Sequence, residues 1–101
     1  MICKTPSPPY YAVIFTSIRE DKDDGYAEKA NEMVELASKQ EGFLGIESSR
    51  SDIGITVSYW DSLDSIQKWG RNTKHAEAKE MGKNGFYKAF KTRICKVEKE
   101  Y

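Results

Sequence analysis

The chain has 101 residues, 16 basic and 16 acidic side chains, one histidine and a formal net charge of zero. That length suits one domain rather than two, and the even charge balance argues against a nucleic-acid surface, which needs concentrated basic residues. No apolar run approaches the ~20 residues of a membrane span, and Met1–Pro9 is too short and polar for a secretory leader, so a cytoplasmic protein is expected.

Thr5–Pro9, TPSPP, reads as an extended lead-in, because each proline fixes its own φ and biases the preceding residue away from helix. Residues 1–9 form this lead-in and residues 10–101 the single domain. Tyr10–Arg19, YYAVIFTSIR, alternates as a strand, with Tyr11, Val13 and Phe15 on one face and Tyr10, Ala12, Ile14 and Ile18 on the other. Both faces are largely apolar and are expected to be covered. Glu20–Asp24 is a polar loop whose last aspartate can cap a helix over residues 25–39. There Tyr26, Ala30, Met33, Val34 and Ala37 fall on one stripe, and Gly42 supplies a left-handed stop.

Phe43–Arg50, FLGIESSR, is a second strand, and Asp52–Gly54 turns it into a third. From Gly54 to Trp60, Ile55, Val57 and Tyr59 alternate with Thr56, Ser58 and Trp60. The period then switches to helical: Asp61 or Ser62 can cap, and Leu63, Ile66 and Trp69 form a stripe. Gly70, Asn72 and Thr73 predict a break before a second helical piece from Lys74 that carries His75. Gly82–Gly85 is a loop, and Phe86–Lys99 a long last strand with Tyr87, Ala89, Lys91, Arg93, Cys95 and Val97 on one face. The order β-α-β-β-α-β predicts an α+β, ferredoxin-like protomer with both helices on one sheet face. Its other face then calls for a second subunit, so a homodimer is expected.

No glycine-rich phosphate loop, paired metal-spaced histidines or assignable Ser, His and Asp set is present. Chemistry is therefore expected in a pocket between helices and sheet, lined by Thr16, Ile18, Ser48, Ser58 and Trp60 and roofed by Trp69 and His75. Trp69 is either a core residue or a rigid wall against a flat ligand. His75 is either an incidental polar residue or the acid or base of the site. Arg19, Arg50, Arg71 and Arg93 could hold an anionic group or simply face solvent. Tyr10, Tyr11, Tyr26, Tyr59 and Tyr87 read as sheet or interface filler, with Tyr26 or Tyr59 expected to point a hydroxyl inward, and Glu47 faces solvent, a structural hydrogen bond or a cavity. Cys3, in an expected floppy tail, and Cys95 read as free thiols in a reducing compartment.

The run GFLGIESSR, then GITVSYWDSLDSIQKW, an Asn-, His- and Glu-containing segment and a final RICKVEKEY resembles the antibiotic biosynthesis monooxygenase family, in particular its small bacillus-type members. The resemblance runs from about Tyr10 onward and implies the dimeric α+β barrel fold. It implies a cofactor-independent monooxygenase that uses O2 on a small aromatic, quinol or polyketide-like molecule; for that chemistry the expected pocket offers His75 and Trp69 as catalytic residues and Trp60, Ser58, Thr16 and Tyr59 around the substrate. Related members bind and degrade haem through a strand asparagine, a helix tryptophan and a histidine ten residues later. Trp69 matches that tryptophan, but Lys79 stands ten residues on, the asparagine position falls near Thr16 or Ser17, and His75 comes only six residues after Trp69. Haem binding or degradation is thus the alternative, and a non-catalytic ligand-binding module the third.

Overall fold

A computed structural model describes residues 2–20, 25–72 and 86–101. Its elements are β1 (Tyr10–Arg19), α1 (Tyr26–Ser38), β2 (Phe43–Arg50), β3 (Gly54–Trp60), α2 (Leu63–Gly70) and β4 (Tyr87–Val97). The strands form one antiparallel sheet in the order β2-β3-β1-β4. This is the ferredoxin-like α+β arrangement expected from the alternation. The predicted second helical piece and the loop before β4 lie outside the described residues. No helix among the described residues is long and apolar enough to cross a membrane.

The core sits on the helix side of the sheet. Trp60, Ile66, Trp69 and Ala37 are buried together, with Tyr11, Val13, Met33, Leu36 and Phe43 packed against them. Two members of the expected stripes are displaced from it. Val34 on α1 is 41% exposed and Leu63 on α2 is 48% exposed. Leu36, in the last turn of α1, packs against the core while Val34 does not; about 200° apart around the helix, the two mark opposite edges of the stripe, and the buried edge is that of Leu36.

Helix ends follow local chemistry, with one difference from expectation. The cap of α1 is Gly25 in the left-handed region at φ 78°, with no side-chain cap. Asp24, the expected cap, lies outside the described residues. On α2 the Ser62 hydroxyl accepts from the Ser65 backbone N–H at 3.1 Å. The Ser65 hydroxyl in turn donates to Asp61 Oδ1 at 2.8 Å. Gly42 has φ 87°, and a side chain there would collide with Ser65 and Asp61. Its carbonyl accepts the Asp61 N–H at 2.9 Å, so this glycine joins the start of β2 to the start of α2.

Two further corrections concern the chain ends. The lead-in is tied down rather than floppy: the Cys3 N–H donates to Glu47 Oε2 at 2.8 Å and its thiol to the Ile46 carbonyl at 3.2 Å. Thr5 donates to the Tyr10 hydroxyl at 3.0 Å. Both cysteines are free thiols. The last strand stops at Val97, and the register between β1 and β4 slips between Ile18 and Arg19. That bulge turns Tyr87 onto the helix face beside Phe90, where strict alternation had placed it with Ala89.

Candidate active site

Strand pairing decides which side chains can share a site. Tyr11 pairs with Trp60, Val13 with Ser58 and Thr16 with Ile55. Since alternate residues of a strand point to opposite faces, Ser58 and Trp60 stand on the helix side while Thr16, Ile18 and Tyr59 stand on the reverse side. Of the six residues expected to carry the chemistry, the helix side therefore collects Trp60, Ser58 and Trp69. Thr16 and Tyr59 are separated from them by the thickness of the sheet. His75 lies outside the described residues.

The two tryptophans form the floor of the helix side. Trp60 is fully buried, its ring 5.5 Å from Phe43 at 88° and 6.1 Å from Trp69 at 26°. Such edge-on and offset arrangements suit the aromatic quadrupole, and they hold both indoles rigidly. The Trp60 indole N–H donates to the Ser58 hydroxyl at 2.9 Å, which leaves the Ser58 proton free to serve another acceptor.

On the reverse face Tyr59 meets Glu47. The phenol donates to Glu47 Oε1 at 2.6 Å, while the Cys3 N–H occupies the other carboxylate oxygen. The Tyr59 hydrogen bond and then the Cys3 backbone hold the Glu47 carboxyl below its usual range. The same bond pushes the Tyr59 phenol up to about 12. Tyr10 closes the cluster with its ring 5.9 Å from Tyr59. Of the three settings open to Glu47, the structure thus selects a structural hydrogen bond, one that anchors the lead-in.

A second polar cluster stands on the helix side, at the far end of the sheet from the tryptophans. Arg50, at the end of β2, is paired with Gly54 on β3. Its guanidinium lies across the bare Cα of Gly54, where any side chain would overlap it. The crossing lets Nη2 reach β1 and donate to the Ser17 hydroxyl. The same Nη2 donates to the Tyr26 hydroxyl at 3.3 Å, and the Tyr87 hydroxyl donates to Tyr26 at 3.2 Å. Arg19 stacks on the Tyr26 ring at 3.9 Å, a cation–π contact. Burial, followed by the Tyr26 hydroxyl, pushes the Tyr87 phenol well above its usual value, so it stays a proton donor at neutral pH.

Alternation alone does not reveal this cluster, because it needs Arg50 opposite Gly54 in a hairpin of fixed register and Tyr87 moved by the bulge. Arg19, Arg50 and Tyr26 are candidates by residue type, and the signal for their convergence is a glycine facing an arginine across the SDI turn.

Among the described residues no group of three His, Cys, Asp or Glu side chains gathers as a metal site. Of the positions associated with haem in related members, His75 and Lys79 lie outside the described residues. Trp69 is seated against Trp60, Thr16 faces the reverse side, and the Ser17 hydroxyl is engaged by Arg50.

The antibiotic biosynthesis monooxygenase family model matches residues 9–81. The chain is 50% identical over 101 residues to the uncharacterized protein YqjZ of Bacillus subtilis, covering 98% of this chain and 89% of that one. Its fold is similar to that of Rv0793 from Mycobacterium tuberculosis, with a TM-score of 0.80 at 9% identity over 90% of this chain and 97% of that chain. It is also similar to a mutant form of SnoaB, a cofactor-independent oxygenase from Streptomyces nogalater, with a TM-score of 0.78 at 6% identity over 90% and 95% of the two chains. The sheet order, the helix placement and the match across most of the chain together make this protein a member of the antibiotic biosynthesis monooxygenase family.

Proposed function

We propose that the protein is a cofactor-independent monooxygenase that oxidises a small aromatic or quinol-type molecule with O2. The observation that carries this function is the family match over residues 9–81, supported by the fold shared with a cofactor-independent oxygenase. In an anthrone-like substrate, His75 takes a proton from the activated methylene and the resulting carbanion reduces O2. One oxygen atom ends in the new carbonyl, and the other leaves as water with the two methylene hydrogens. The substrate supplies all four electrons, so no external reductant is required.

The buried pair Trp60 and Trp69 backs the site rigidly from within the core, and Ser58, held by the Trp60 indole, donates its remaining proton to a substrate oxygen. Thr16 and Tyr59 belong to the reverse face, which a second copy covers in a cytoplasmic homodimer. Exposed Ile18 and Ile55 on that face support this assembly.

The test is oxygen uptake with a panel of anthrones and naphthoquinols. Uptake is expected with at least one, and His75→Ala should lower its rate by about 10²–10⁴. No uptake across the panel would overturn the oxygenase function in favour of a binding module, and an unchanged His75→Ala rate would remove His75 from the mechanism.

A further inference from the structure

Hydrogen-bond accounting at the Arg50 cluster leaves donors without acceptors. Both protons of Arg50 Nη2 are used, one on Ser17 and one on Tyr26. The Tyr26 oxygen accepts from both Arg50 and Tyr87, which fills its lone pairs, and its own proton has no acceptor among the described residues. The hydroxyl of Ser17, a fully buried residue, accepts from Arg50, and its proton likewise has no acceptor among the described residues. Arg50 Nη1 makes only a long 3.5 Å contact to the Ser17 carbonyl. Among the described residues no carboxylate lies within ion-pair distance of Arg50. A permanent cation ringed by neutral hydroxyls with surplus protons is the complement of an anionic oxygen.

Beside this cluster lies an aromatic shelf. The Phe15 ring is 5.3 Å from Tyr87 and 5.9 Å from Phe90. Phe90 is 44% exposed, so the shelf is reachable from solvent, as is Arg50. Tyr87 joins the shelf to the cluster, its ring against Phe15 and its hydroxyl on Tyr26, so a flat ring resting on the shelf lies beside the hydroxyls that surround the guanidinium.

We propose that Arg50, Tyr26, Tyr87 and Ser17 form an oxyanion site that takes the carboxylate of an aromatic acid whose ring rests on Phe15 and Phe90. The identification of that acid as the substrate rests on the oxygenase function proposed above, whereas the site itself does not. Gly54 is its positioning residue, because only a missing side chain lets the Arg50 guanidinium cross β3.

Calorimetric titration of the full chain with 2-naphthoate and with its neutral analogue 2-naphthamide tests the site without turnover. The wild type is expected to bind the naphthoate about tenfold or more tightly than the amide. In Arg50→Gln that preference should fall to about one, and in Gly54→Ala, which keeps the arginine but blocks its crossing, it should fall at least about threefold. Tyr26→Phe keeps the ring and removes only the hydroxyl; it should cost the preference about threefold and serves if Arg50→Gln folds poorly. Equal affinity for both probes, no naphthoate binding, or a preference intact in Arg50→Gln or Tyr26→Phe would overturn the site. Oxygen uptake is a separate readout: its absence with the preference intact refutes the oxygenase function and leaves the carboxylate site standing.

Discussion

Replacing Trp60 by alanine strikes the point on which the helix side of the sheet depends. The indole is fully buried, packed edge-on by Phe43 and face-on by Trp69, and bonded to Ser58. Truncating a buried tryptophan removes its transfer free energy and leaves a cavity that rigid neighbours cannot fill, at about 3–5 kcal/mol. A domain of this size holds only about 5–15 kcal/mol of stability. With an unfolding entropy of about 0.2 kcal/mol/K for a chain this long, the melting temperature should drop by about 15–25 °C. Leu63→Ala is the control, since that side chain follows the same helical stripe but is 48% exposed and should cost less than about 1 kcal/mol. Far-UV circular dichroism melts at one fixed protein concentration measure both, because any self-association makes the midpoint concentration-dependent. A Trp60→Ala drop under about 5 °C, or one matched by Leu63→Ala, would refute the assignment of the core to this tryptophan.

Two further predictions concern stability. The Glu47 carboxyl is lowered in the folded chain, so its contribution is present above the ordinary carboxylate range and is lost as pH falls through the folded value. The Tyr59 phenol is raised to about 12, so its contribution is complete below the ordinary phenol value and is lost as pH rises towards that figure. Tyr59→Phe removes the shared bond, and the gap in melting temperature between wild type and variant should be widest between about pH 5 and pH 10 and narrow on either side. A gap independent of pH would contradict the pairing. Gly42→Ala and Gly25→Ala both place a side chain at positive φ, costing about 1 kcal/mol by backbone strain alone. At Gly42 the new methyl also meets Ser65 and Asp61, whereas at Gly25 it meets nothing within 4 Å, so urea melts should show Gly42→Ala as the more damaging of the two.

The strands, both helices and the ferredoxin-like order were legible because they follow from periodicity, a property of neighbouring residues. Trp60 and Trp69 could be assigned to the helix side for the same reason. Thr16 and Ile18 of the expected pocket, and Tyr59 of the expected substrate residues, stand on the reverse face because a residue's face depends on strand pairing as well as on alternation. Thr16 has the parity of Ala12 and Ile14, and once Thr16 pairs with Ile55 it must share the face of Tyr59 rather than that of Trp60. Tyr87 was misplaced by a bulge, which composition does not announce. The Cys3 anchor was invisible because its partners, Ile46 and Glu47, lie more than forty residues away.

The two faces of the sheet put phenols to opposite uses, and the difference decides where an anion can bind. On the reverse face Tyr59 and Tyr10 each donate to a carboxylate, Glu47 and Glu100 respectively, so their protons are spent and the local charge is negative. On the helix face Tyr26 and Tyr87 surround a guanidinium instead, and the pair retains a proton to donate. Beside Glu47 and Glu100 an aromatic acid meets like charge and filled hydroxyls, although Lys91 and Arg93 share the reverse face on β4, while the Arg50 cluster of the helix face offers it opposite charge and a hydroxyl donor. Because Arg50 reaches that face only over Gly54, selectivity for an anionic aromatic ligand comes down to one missing side chain on β3.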